Sequence, residues 1–599
     1  MAIDGFEAYD ITIHQKVHVM ASVLCILADS PMHAEFTNTP VPGNSLNSCR
    51  YCVLSSASLA ARKKIPYVSQ FLQKNSHGSN CPNQLRTMEK TKESSKKLWK
   101  HAKETLNKEK LDKESAKLGV QDQINQTFCK KLFEFDAEKI DLLENEQELP
   151  DHMDQEIPQD IMDMEENESK RLFNPFLELK GFDMVRDTPV EVLHVFLLGA
   201  VKYLFRDFMK GLDEKEKKEL SVLWKSFNTN SLNIPSIRPK SMVQYSSSLV
   251  GKDFRIILQA APFIFFQFMN PSDIKLWSSL CHLGSLIFQT HIEDMVTYIS
   301  DLKNHIDIFL NQIVEDSAQW VNKAKFHMLL HLPESILRFG PASLFATEKF
   351  ESYNGYNHST SFPSTNYPLV KKKFVSDSDK VETPQDLKNA YPGHEIRQIS
   401  ELNLNKKQVL KKDYFIVFNC TQPEISENYH IGSINSIWMV QKPLHQHCFF
   451  IHTTIFQKKE ESPHYKMREI RRTSKSIFVK ASAIESGLNV QHNCYRSACE
   501  LTETDTETVE RRKSTKKTQE LIHNDTEHYI INIASLSSAA LHRRISDLAS
   551  RLIQPLEWID TMHNGIRKWD AISEKKENAL ARKRNKLAAS TSAVDPNLM

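Results

Sequence analysis

Residues 17–29, VHVMASVLCILAD, form an apolar run rich in β-branched residues that ends on an acid. The run predicts a buried strand leading into Asp29, and pattern alone leaves a short buried helix open as the alternative. A turn-rich stretch, NTPVPGNSLNSC, then delivers Cys49-Arg-Tyr-Cys52. From 84 to 149 the chain is charged and helix-prone, opening on KTKESSKKLWKHAKETLNKEK. From 172 to 335 the spacing of apolar residues is helical, with stretches at 253–269, 273–289, 291–315 and 317–331. Asp187-Thr-Pro-Val sets an N-cap-type residue and a proline ahead of EVLHVFLLGAVKYLFRDFM. Gly340-Pro341 ends this region, and a short helix near Thr347 puts Glu348 and Glu351 on one face. Beyond it the period changes. Segments 413–420, 435–440, 447–456 and 476–483 read as short strands between turns.

The expected organisation is therefore a partial α/β core with the CxxC loop over 1–83, then a charged helical excursion and acidic linker over 84–171. A helical insertion, 172–335, ends in His327-Met-Leu-Leu-His331. Residues 336–375 carry the glutamate helix, 376–409 form a linker, 410–535 a β-rich domain and 536–599 a helical basic tail. No internal repeat is visible.

Composition narrows the chemistry. With 15 glycines in 599 residues and no GxGxxG or GxxxxGK[ST], glycine-rich phosphate loops are excluded. The formal charge is only +2, so no global basic field marks a nucleic-acid partner. Charge is uneven, however. Residues 134–170 are acidic, and 506–517 and 581–586 are basic-rich. No apolar run approaches the ~20 residues of a membrane span. No secretory leader opens the chain, so its ten cysteines are expected in a reducing compartment, where paired ones read as metal ligands before disulfides.

Cys49 and Cys52 can chelate one ion from a tight turn, although a lone CxxC is a weak signal. His327 and His331, at i and i+4, share a helix face, and together the pairs make up a Cys2His2 ligand set. The separation is far too long for a zinc finger, so they meet only if the intervening chain is an insertion. Read singly, each pair has an ordinary explanation in packing. Glu191 and His194 lie at i, i+3 on an apolar helix, where a buried charge is costly unless paired. Asp29 reads as a turn aspartate or as a strand-end metal ligand.

The order of these pieces carries a resemblance. Ala28-Asp-Ser-Pro-Met-His-Ala-Glu35, Asp187-Thr-Pro-Val-Glu-Val-Leu-His194, Ser248-Leu-Val-Gly-Lys-Asp-Phe-Arg255, Lys325-Phe-His-Met-Leu-Leu-His-Leu-Pro333 and Phe345-Ala-Thr-Glu-Lys-Phe-Glu351 occur in one order. The chain resembles fungal CACTA-type (Plavaka) DDE transposases of the CACTA/Mirage/Chapaev superfamily over about residues 1–370. The resemblance implies an RNase H-like core interrupted by the helical insertion. It implies Asp29 and Glu351 as catalytic acids holding Mg2+ or Mn2+, with Glu348 as a substitute for Glu351. It implies Cys49, Cys52, His327 and His331 as ligands of a structural Zn2+. His194 matches the histidine of an x2-H motif whose acid is here Glu191 rather than the usual Asp or Cys. The first family aspartate has no match, so an N-terminally truncated core with little or no strand transfer is expected. The implied partner is DNA, at transposon ends or in chromatin, in the nucleus. The alternative is a non-catalytic DNA- or chromatin-binding protein domesticated from such an enzyme, and self-association stays open.

Overall fold

The computed structural model describes residues 24–43, 45–145, 150, 153, 157–348, 375, 380–405, 408–419, 429–441, 447–509, 513–548 and 551–591. The fold is mixed α/β, helical through the N-terminal and middle regions and β-rich towards the C-terminus. The described residues fall into two compact units. One comprises parts of 1–27, 35–38 and 87–189; the other comprises 28–34, 39–86 and 190–599.

The first unit is a helical assembly, where the charge density of 84–171 had suggested an excursion and linker. Helices Met88–Thr105, Lys108–Leu118 and Gln123–Glu144 start on Thr87, Asn107 and Asp122, whose side chains accept backbone N–H bonds of the first turn. Gly119, at φ +64°, closes the second helix in the left-handed conformation that costs glycine least. A narrow apolar stripe hides within the charged sequence. Leu98, Trp99, Ala102, Leu111, Cys129, Ile161 and Leu172 bury one another. Charged side chains occupy the rest of each helix, which is why composition alone concealed the core.

The second unit begins with a correction. Residues 24–29 are not in a strand, and among the described residues no strand precedes Glu395. Asp29 instead starts the helix Ser30–Phe36, its Oδ1 accepting the Met32 N–H at 3.0 Å. The Ile26 N–H donates to the Asp187 carbonyl at 2.8 Å without the segment entering a strand ladder, and Asp29 takes the capping role open to it; residues 17–23 of the expected strand lie outside the described residues.

The middle helices follow the predicted stretches. Gly251–Ile264, Pro271–Ile287 and Met295–Asp316 pack in sequence. Pro262 lies inside the first and cannot donate to the Leu258 carbonyl one turn back. The Cys281 thiol of the next helix donates to that carbonyl instead, at 3.3 Å. Asp187 does not cap the following apolar helix as the sequence suggested. Its carboxylate accepts the Asp183 N–H, and Glu191 takes over the helix start. Leu193–Val201 then winds as a π-helix, an uncommon form that recurs near functional sites.

The β-rich region starts earlier than expected, since the supposed linker 376–409 holds a helix, Gln385–Ala390, and three strands. These are β1 (Glu395–Ile399), β2 (Glu401–Asn405) and β3 (Gln408–Lys411). After them come β4 (Phe415–Phe418), β5 (His430–Gln441), β6 (His447–Glu461), β7 (Arg468–Lys480), β8 (Ile484–Leu488) and β9 (Val490–His492). The last three are β10 (Glu500–Val509), β11 (Lys513–Ile522) and β12 (His528–Ile531). One antiparallel sheet runs β8-β4-β5-β6-β7-β12-β9, with β1 on β5. Its two end strands are separated only by Asn489, so the path returns to its own beginning. β4 is buried on both faces. Ile416 and Phe418 join one apolar cluster, while Phe415 and Val417 join another, as the two-residue period requires. β10 and β11 form a separate two-stranded ribbon.

Within the expected helical basic tail, the helix Pro555–Thr591 packs along Met295–Asp316. Thr561 accepts from Asn311, and Gly565 lies so close to the Val314 carbonyl that a Cβ would collide with it. Lys74 links three pieces of this unit. Its buried Nζ donates to Asp307 at 2.9 Å and to Asn80, and lies 4.5 Å from the centre of the Trp558 ring. Lys74→Met is expected to strand the partly buried Asp307 carboxylate and cost about 1–3 kcal/mol. Urea unfolding with an unchanged midpoint would rule out this linking role.

Candidate metal centre

Residues 45–86 wrap a loop around Cys49 and Cys52. The Arg86 guanidinium Nε donates to the carbonyls of Cys49 (3.0 Å) and Cys52 (3.2 Å), and its backbone N–H donates to Tyr51 O. The Tyr51 N–H points at Cys49 Sγ (3.4 Å), and the Asn83 amide points at Cys52 Sγ (3.5 Å). N–H donors aimed at sulfur favour the thiolate form. The helix Ile65–Phe71 supplies a further anchor, because His327 Nδ1 lies 2.6 Å from the carbonyl of its last residue, Phe71.

The histidines come from the other side. The sequence predicted one helix carrying both. In the structure, Ala324–Met328 tightens into a 3-10 turn, Leu329–His331, before Leu332–Phe339 resumes. Pro333 is the cause, since it lacks the N–H that would bond Leu329 and its ring crowds that carbonyl. The rings still converge, with the two Nε2 atoms 3.4 Å apart. Tyr51 stacks on His331 at 5.0 Å between centroids, with the Arg50 guanidinium over its own ring.

The structure thus brings together Cys49, Cys52, His327 and His331, which are separated by up to 282 positions. All four are buried, and their ligand atoms lie within 4.8 Å of one another. Cys49 Sγ is 3.5 Å from His331 Nε2, and Cys52 Sγ is 3.2 Å from His327 Nε2. A tetrahedral ion with bonds of about 2.3 Å to sulfur and about 2.0–2.1 Å to nitrogen sets S···N edges of roughly 3.5 Å and an N···N edge of roughly 3.3 Å. The donor set, its spacing and its closure by four side chains fit a structural metal site. The His327–Phe71 bond fixes the ring so that Nε2 faces the sulfurs, the usual outer support of a ligating imidazole.

Electrostatics agree with this arrangement. Burial would raise the Cys49 thiol, but the hydrogen bond from Cys52 and the His331 and His327 rings outweigh it and hold its pKa well below the ordinary value. Cys52, which donates that bond and is itself buried, is pushed up. Metal binding at such a pair is linked to release of thiol protons.

The other candidate residues do not converge on this cluster. Asp29 is exposed at its helix start. Glu351 lies outside the described residues. Glu348 is committed to a two-point pair with Arg255, Nε to Oε1 at 2.9 Å and Nη2 to Oε2 at 2.5 Å. Glu191 is fully buried. It accepts the N–H groups of Leu193 (2.8 Å), His194 (2.8 Å) and Thr347 (2.9 Å), and its Oε2 lies 2.7 Å from His194 Nδ1. Burial would raise its pKa, yet these bonds hold it below the ordinary carboxylate value.

Sequence reading missed Lys325, which lies two residues before His327. Burial, and then the Lys202 ammonium, press its pKa down to about 8, against the pull of Asp29 and Glu191. Gly199 makes room for it, since a Cβ there would meet Lys325 Cδ at 2.9 Å. A glycine in an otherwise apolar helix was the available signal.

Among the described residues no helix is long and apolar enough to cross a membrane. Residues 365–549 match a family model described as a domain of unknown function, DUF8590, which covers the β-rich region and none of the four ligands. No curated protein and no solved structure matches the chain.

Proposed function

We propose that this chain is a transposon-derived, DNA-binding protein of DDE-transposase ancestry, in which a structural zinc ion staples an RNase H-like scaffold across its helical insertion. The observation that carries this reading is the meeting of Cys49 and Cys52 with His327 and His331. Their order along the chain resembles the transposase pattern, and their meeting across 282 positions is what an insertion between the two pairs would require. The zinc is structural, because four side chains fill its tetrahedron and leave no position for substrate. DNA is the proposed partner and the nucleus the proposed compartment.

Binding is favoured over cleavage by two observations. Asp29 caps a helix, and Glu348, the substitute acid, is neutralised by Arg255. Two-metal cleavage needs carboxylates free to serve as hard oxygen ligands. Divalent Mg2+ or Mn2+ chemistry at Asp29 and Glu351 is the second reading.

Fluorescence anisotropy of the full chain on duplex DNA is the test. Binding is expected to fall steeply between about 50 and 200 mM salt, as counterion release requires. Nicking with Mg2+ or Mn2+ is expected to stay near background. Absence of binding at low salt would overturn the proposal. Nicking abolished by Asp29→Ala would instead establish the second reading.

A further inference from the structure

A second group of metal-ligand side chains lies in the β-rich region. We infer that His492, Cys494, Cys499 and His523 form a second tetrahedral zinc site, which clamps the foot of the β10–β11 ribbon. The four ligand atoms lie within 4.8 Å of one another. Cys494 Sγ is 3.5 Å from His492 Nδ1 and 3.5 Å from His523 Nδ1, and Cys499 Sγ is 3.6 Å from His492 Nδ1. All three distances sit at the roughly 3.5 Å S···N edge of a tetrahedral zinc.

The surroundings are built for this convergence. Cys494 and Cys499 bracket a tight turn in which Cys499 N–H returns to Cys494 O (3.0 Å) and Ser497 N–H to Asn493 O (3.1 Å). Ala498, at φ +47°, takes the left-handed conformation that reverses the chain. The Asn524 amide donates to the carbonyls of Ser497 and Ala498, which holds the neighbour of His523 against the turn. His492 is buried, and its Nε2 lies 3.3 Å from Asp525 Oδ1. That bond leaves Nδ1 facing the sulfurs, as an outer carboxylate does for a ligating histidine. Asp525 is fixed in turn by the Ser497 hydroxyl and by the N–H groups of Glu527 (2.8 Å) and His528 (3.1 Å).

The placement says what the ion does. Cys499 immediately precedes β10 and His523 immediately follows β11, so one ion joins both ends of the ribbon to the end of β9. A two-stranded ribbon is marginal in water by itself, and β10–β11 pairs with no strand of the main sheet. The clamp fixes the direction in which this charged ribbon projects.

The full chain, purified under reducing conditions with zinc, is expected to carry two zinc ions. Cys494→Ser/Cys499→Ser is expected to carry one, Cys49→Ser one, and the combined variant none. His523→Gln changes an exposed side chain and leaves the fold undisturbed. It is expected to speed chelator extraction of one zinc by about tenfold or more. In the parent, Cys494 and Cys499 should resist alkylation until chelator is added, whereas exposed Cys81 reacts at once. Chelation should also speed tryptic cleavage of the ribbon at Lys517. Zinc content unchanged by the double substitution, alkylation at the rate of Cys81, or recovery of Cys494 and Cys499 as a disulfide would each overturn the inference. Loss of zinc only in Cys49→Ser would do the same while leaving the first site intact.

Discussion

Cys49→Ser is expected to leave the protein with one zinc fewer per chain and to cost at least about 4 kcal/mol of stability, a large share of the roughly 5–15 kcal/mol that holds a domain together. The reasoning starts from burial. All four side chains of the cluster are withdrawn from water, and their ligand atoms converge within 4.8 Å of one another. Removing one of four converging ligands leaves the other three as buried polar groups short of the partner they converge on, which is costly. A bound ion would satisfy all four ligand atoms and tie residues 45–86 to the segment 324–339. Loss of metal therefore releases a contact between distant parts of the chain, and His331→Ala should behave like Cys49→Ser. Cys281→Ala is the control for damage from altering any buried cysteine. It removes a thiol donor from the Leu258 carbonyl and should cost only about 1–2 kcal/mol, with zinc content unchanged. Elemental analysis and thermal unfolding of the three variants decide the matter. A Cys49→Ser protein with parental zinc and parental midpoint would refute the metal centre.

How far the sequence reached is clear at particular residues. The Cys49/Cys52 and His327/His331 pairs were legible because chelation imposes short, fixed spacings. Their meeting was legible only from the order of motifs. The second cluster was not legible, because H-x-C-x4-C followed by a distant histidine matches no common ligand spacing. What unites those residues is a ribbon whose two ends must coincide. The helices from 251 to 316 followed apolar periodicity and good caps at Asn270 and Asp294. The core around Trp99 was hidden, because a narrow stripe among many lysines and glutamates leaves average composition polar. Of the strand expected at 17–29, residues 17–23 lie outside the described residues, and residues 24–29 are not a strand. An apolar run specifies burial, but a strand needs a partner strand that local sequence does not name, and the Ile26 N–H donates to the Asp187 carbonyl at 2.8 Å. Glu191 was marked as an anomaly on an apolar helix, while its partner Thr347, 156 positions away, was out of reach of any local pattern.

That anomaly yields the second large effect. Glu191→Ala is expected to lower stability by about 3 kcal/mol at neutral pH, because it leaves buried N–H donors at Leu193, His194 and Thr347 without an acceptor. Glu191→Gln keeps the shape but turns an amide NH2 towards one set of donors, so it should recover only part of the loss. The pH dependence has a definite sign. Hydrogen bonding holds the folded pKa of Glu191 below the ordinary carboxylate value, against the effect of burial. Its contribution is therefore complete above the unfolded value of about 4.3 and is lost as pH falls through the lower, folded value. The gap between parent and Glu191→Gln in urea midpoint should be widest at pH 7 and should narrow below about pH 4. A gap of equal size at both pH values would show that packing, and not the carboxylate, sets the effect. Amide exchange at Thr347 gives a local reading of the same network. The Thr347 N–H is bonded across to Glu191, so it should exchange faster in Glu191→Ala by more than global destabilisation alone accounts for. Because Thr347 stands four residues before Glu351, that acceleration would mean that Glu191 positions the segment leading to the proposed catalytic glutamate. Its acid-histidine pair with His194 would then act as a structural latch for that segment, with no need for a direct chemical role.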